Sequence, residues 1–200
     1  MIAVVRSELY RLSTIRSSAF SIAVFAAFGI IFSVMSADMW ALLAGVSAFG
    51  FGVTGITQHY QHRTAVLLYL ARPKRIQVLL AQLLTTVIVS LGFAAVSGVV
   101  VLFSGDADVY LRTLTVVPIM GLLGAAMAIV VRRATPLVVG FAVWVIFIEA
   151  MYFRMEQPLP FSAYLDAAGG NGRALVQFLG WALAAVVAAT FSVRRDVNVD

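Results

Sequence analysis

IQVLLAQLLTTVIVSLGFAAVSGVVVLFS, residues 76–104, carries no charged side chain from end to end. A helix rises about 1.5 Å per residue, so roughly 20 apolar residues cross a hydrocarbon layer of ~30 Å. This stretch exceeds that length, and the excess predicts a tilted span or one that extends beyond the lipid. Further blocks of the same kind lie on either side. Residues 17–37 and 39–57 are separated by Asp38, and residues 113–131, 134–153 and 174–193 follow. Transmembrane strands would need segments of about ten residues with alternating polarity, which these blocks are not. The pattern predicts an all-α integral membrane protein with six transmembrane helices in one domain over residues 1–200.

Composition agrees with a lipid solvent. Of 200 residues, 62% are hydrophobic and 12% charged, and the mean hydropathy is +1.00. So few charges do not solvate the surface of a soluble domain this size. The net charge of +5 falls beside the apolar blocks and reads as topology signals and contacts for anionic lipid headgroups, not as a nucleic-acid surface. On a six-span model one side holds Arg6, Arg11, Arg16, Arg63, Arg72, Lys74, Arg75, Arg132, Arg133, Arg194 and Arg195. The other holds Arg112, Arg154 and Arg173. The positive-inside rule then predicts cytoplasmic termini. Residues 1–18 place Ile2, Val5, Leu9, Leu12 and Ile15 at helical spacing among arginines. This predicts an amphipathic interfacial helix in preference to a signal peptide. Small residues recur in the second and fourth blocks (Gly45, Gly50, Gly52, Gly55; Gly121, Gly124) and predict close helix–helix approach.

Between the second and third blocks, TQHYQHRTAVLLYLARPKRI (residues 57–76) is neither a span nor a minimal turn. Its centre is apolar and helix-compatible, bracketed by Arg63 and the group Arg72, Pro73, Lys74, Arg75. A short helix of this kind docks on a cytoplasmic partner or rests on the membrane surface. Pro73 sharpens the bend into the next span.

The assembled order resembles the membrane subunit of ABC-2 type exporters. It comprises the amphipathic RSELYRLSTIRSS, two spans, GITQHYQHRTAVLLYLARPKRIQVLLAQ, four further spans, and GLLGAAMAIVVRR leading into a basic turn. Thr64, Pro73 and Arg75 match the family pattern, whereas His59 stands where an acidic residue is common and Gln82 where a lysine is. The resemblance implies a permease of an ATP-driven exporter in a prokaryotic plasma membrane. Two permease copies would pair with two separate ATP-binding subunits that hold ATP and Mg. Residues 57–76, with Thr64, Tyr69, Arg72, Pro73, Lys74 and Arg75, would form the coupling segment. The alternative is a membrane assembly or regulatory protein without transport activity of its own.

Glu149, in VWVIFIEAMYF, is the acidic residue inside a predicted span. A carboxylate facing lipid at mid-membrane costs roughly 2.5–3.5 kcal/mol, and less near an interface. It is therefore expected to pack between helices, line a polar route or sit at the interface. Residues 152–173 follow, with Pro158 and Pro160 and then Gly169, Gly170 and Gly172. They predict a re-entrant or surface helix and a turn before the last span. Catalytic signals are missing. The chain has no cysteine and no GxxxxGK phosphate loop, and His59 and His62 lack a carboxylate-rich neighbourhood. Asp106 and Asp108 read as solvated turn residues. No catalytic, cofactor or metal site is expected in this chain.

Overall fold

The computed structural model describes residues 5–7, 9–10, 14, 16–61 and 75–195. Among them every regular element is helical: α1 (Arg16–Met35), α2 (Ala37–Gln61), α3 (Arg75–Ser97), α4 (Val99–Phe103), α5 (Ala107–Val131), α6 (Ala134–Val143), a π-helix (Trp144–Tyr152), α7 (Pro160–Ala168) and α8 (Gly172–Arg195). Five helical stretches among the described residues are long and apolar enough to cross a membrane: Ala37–Gln58, Ile76–Ser97, Ala107–Val131, Ala134–Tyr152 and Gly172–Arg195. The first predicted block is α1, whose described apolar part runs over Ile22–Met35. In the region of the expected interfacial helix, the described residues Val5, Arg6, Ser7, Leu9, Tyr10 and Thr14 are helical.

The core forms around α5, against which α2, α3 and α8 pack. Apolar chains gain little from hydrophobic burial in lipid, so close van der Waals approach has to hold the helices together. Glycines make that approach possible. A Cβ on Gly52 would lie 2.2 Å from the Gly121 carbonyl oxygen, and one on Gly124 would lie 2.5 Å from that of Phe49. Gly45 faces the Tyr164 ring, whereas Gly50 and Gly55 have open space where a Cβ would go. The second and fourth blocks thus use some of their glycines as contact residues and leave others idle. Two threonines buried on α3 are satisfied locally: the Thr85 hydroxyl donates to the Ala81 carbonyl (2.9 Å) and that of Thr86 to the Gln82 carbonyl (3.1 Å).

Three predicted boundaries are redrawn by packing. The long third block is two helices that meet at Gly98, where the backbone departs to φ −96°, ψ 6° and the Trp40 indole lies so close that any Cβ would come within 2.1 Å of the ring. The Trp40 indole N–H also donates to the Ser97 hydroxyl (3.1 Å), and its ring stacks on Tyr110. The fourth span begins earlier than its uncharged block, at Ala107, so Asp108 lies in the first helical turn and not in a loop. There it suits the positive end of the helix dipole and pairs loosely with Arg112 at 3.9 Å. The fifth block changes winding at Trp144 from α to π.

Side-chain contacts fix which helix ends lie together. Trp40 meets Gly98 and Tyr110, and Arg112 donates to the Gly169 carbonyl (3.4 Å). The α1–α2 turn, the α4–α5 turn and the α7–α8 turn therefore share one end of the bundle, called here the tryptophan end. From it α2, α5 and α8 run to the opposite end, which carries Arg132, Arg133, Arg194 and Arg195.

Candidate functional site

The segment from Ala134 to Tyr152 lies at the edge of the bundle and exposes most of its apolar side chains, including Val139, Ile146, Phe147 and Met151. Two of its residues are buried, Leu137 and Glu149, and Glu149 is 0% exposed. Such a carboxylate needs donors, since desolvating it without partners is prohibitive.

Those donors come from two directions. The Trp144 indole N–H donates to Glu149 Oε1 at 2.9 Å. The backbone N–H of Phe161 reaches both carboxylate oxygens, at 3.2 and 3.1 Å, and that of Ser162 reaches Oε2 at 2.7 Å. These two amides belong to the first turn of α7, where N–H groups have no partner within the helix. Leu159 occupies the N-cap position and offers no side-chain acceptor, and Pro160 at the first helical position has no N–H to satisfy. Glu149 accordingly does from a neighbouring helix what Ser, Asp or Asn does at an ordinary N-cap. Its position also complements the positive end of the α7 dipole.

The π winding supplies the geometry. Bonds from residue i to i+5 put Glu149 one turn above Trp144, so both side chains address the same point. In an α-helix, residues five apart point in widely different directions. After the π-helix the chain reverses through Arg154 and Met155, both left-handed at φ 51° and 61°. The Met155 N–H bonds back to the Glu149 carbonyl at 2.7 Å. Two consecutive non-glycine residues in that region are unfavourable and persist where the surroundings over-determine them.

Helix α7 is held deep in the bundle. The Tyr164 hydroxyl donates to the Ala41 carbonyl at 2.5 Å, and Phe161, Ala163, Tyr164 and Ala167 are buried. An aromatic series runs from Phe49 through Phe141, Phe161 and Tyr164 to Phe178, tying α2, α6, α7 and α8 together. The Ser162 hydroxyl donates to the Gln157 carbonyl (2.5 Å) and accepts the Leu159 N–H (3.1 Å). The return is equally defined: Asn171 Oδ1 accepts the N–H groups of Arg173 and Ala174 and caps α8. The predicted re-entrant or surface element is thus a short helix packed into the tryptophan end. Trp144 and Trp181 also bond there, the latter to the Pro158 carbonyl at 3.0 Å.

Of the residues singled out from sequence, Glu149 is at this site. Thr64, Tyr69, Arg72, Pro73 and Lys74 lie outside the described residues, and Arg75 is the first residue of α3. Among the described residues no group of three potential metal ligands occurs. The capping role of Glu149 escaped sequence reading, although Leu-Pro at a helix start is a usable signal: it announces an N-terminus without an acceptor of its own. No protein-family model and no curated protein matches this chain.

Proposed function

We propose that this chain is the membrane-spanning permease subunit of an ATP-driven exporter of the ABC-2 type, with six spans and cytoplasmic termini. The observation that carries the reading is the connection between α2 and α3. Gln61 ends α2 and Arg75 begins α3 at the end opposite the tryptophans, beside Arg132, Arg133, Arg194 and Arg195. The described flanks of the stretch that resembles a coupling segment, Gln61 and Arg75, therefore lie at the arginine-rich end, where a cytoplasmic ATPase would approach. The described acidic residues Asp38, Asp106, Asp108, Glu149, Glu156 and Asp166 belong to the tryptophan end, which supports the same orientation. Lacking a phosphate loop, the chain would rely on a partner subunit for ATP and Mg, and a second permease copy would complete the translocation route.

The test is copurification followed by nucleotide-dependent cross-linking. The chain has no cysteine, so Tyr69→Cys and Arg72→Cys report without background. The expected result is a cross-link to an ATP-binding subunit whose pattern changes with ATP. An intact native complex without a nucleotidase, in which these positions contact lipid alone, would leave the membrane assembly or regulatory reading in its place.

A further inference from the structure

We propose that the π-helix and the docking of α7 form one two-state switch: α7 stays in the bundle while Trp144–Tyr152 is π-wound, and rewinding to α releases it. This goes beyond the transporter assignment, because the coupling resides in this chain whether or not an ATPase drives it.

Three observations carry it. First, π winding is rare, appears mostly as short bulges and is frequent at functional positions, so a stretch over Trp144–Tyr152 needs something to sustain it. Second, what the described contacts offer is the Glu149 carboxylate, which draws on Trp144 within the π-helix and on Phe161 and Ser162 in α7. Third, the Arg154–Met155 reversal joins the two helices through left-handed residues and is anchored on the Glu149 carbonyl.

Rewinding changes the direction of residue 149 by about 100° for each residue of register. The carboxylate then leaves the α7 amides and turns toward the exposed side of the helix where Ala150 stands. Neither the desolvated carboxylate nor the uncapped helix end tolerates a dry environment. Rewinding and admission of water around α7 are therefore coupled, and intermediate states with only one of the two are disfavoured. The element is bistable in the sense that a conformational gate requires.

The test changes the number of residues between Trp144 and Glu149. In the full-length chain in lipid vesicles, Ala167→Cys on the buried face of α7 reports release through its reactivity with a water-soluble maleimide, and Leu123→Cys in α5 reports the integrity of the core. Trp144→Phe keeps chain length, removes one donor of the π-wound state and is expected to raise labelling of Ala167→Cys by about tenfold, as loss of a charge-assisted hydrogen bond implies, while Leu123→Cys stays protected. Deleting the exposed Phe147 in that variant leaves residues 144 and 149 four positions apart, which α winding puts on one face, and is expected to restore protection of Ala167→Cys. Protection of Ala167→Cys in Trp144→Phe equal to that in the parent overturns the switch. So does a rise that the Phe147 deletion leaves unchanged, or one shared by Leu123→Cys.

Discussion

Truncating Glu149 to alanine would leave the amides of Phe161 and Ser162 and the Trp144 indole without their acceptor. An N-cap is worth about 0.5–2 kcal/mol, and an unsatisfied buried donor costs ~1–3 kcal/mol. E149A should therefore destabilise the chain by roughly 2–3 kcal/mol, measured by unfolding in detergent micelles. E149Q keeps one acceptor oxygen and should cost about half as much. Equal stability of all three forms would remove the capping role. If the chain transports, E149Q should lower transport per inserted complex while leaving membrane insertion intact. That comparison separates a functional carboxylate from a merely accommodated one.

The α2–α5 contact makes a sharper statement at the level of elements, because two glycines on the same helix have opposite surroundings. A Cβ on Gly52 meets the Gly121 carbonyl oxygen at 2.2 Å and the Ala125 nitrogen at 2.7 Å, both backbone atoms with nowhere to go. One on Gly50 meets nothing within 4 Å. Gly52→Ala should accordingly separate the helices and cost about 1–3 kcal/mol. Gly50→Ala should be neutral or stabilising by up to ~1 kcal/mol through helix propensity. Unfolding of the two variants in the same micelle is the direct comparison, and a Gly52→Ala chain as stable as the parent would show that the contact is dispensable. Pro118 inside α5 adds a related point. It removes one intrahelical bond, which a membrane helix tolerates when neighbouring helices surround it, and Pro118 is buried.

At the scale of the molecule, the ends of the bundle differ in chemistry among the described residues: acidic side chains and tryptophans gather at one, and Arg132, Arg133, Arg194 and Arg195 stand at the other. Single cysteines in place of the exposed Asp38, Asp108 and Asp166 should react with an impermeant label from outside the cell. Cysteines in place of Arg133 and Arg195 should react only after permeabilisation. Labelling of Asp38→Cys and Arg133→Cys from the same side would sink the alternating arrangement of α2, α3, α5, α6 and α8.

Sequence by itself determined the solvent of this protein and the rough positions of its helices, because a long uncharged run in lipid has one economical solution, a helix that satisfies its own backbone. It also marked Glu149 as out of place and residues 152–173 as a broken element. What it did not determine depends on atoms brought together across the chain. Uncharged composition does not show why position 98 has to be glycine, since the reason is the Trp40 ring resting there. Nor does the string VWVIFIEAMYF distinguish π from α winding, whose difference lies in a carboxylate meeting the amides of a later helix. Glycine patterns announced close packing, but only the tertiary arrangement separated Gly52, pressed against backbone, from Gly50, which faces open space. Local sequence sets what each residue can offer, and the partner's position decides whether the offer is taken up.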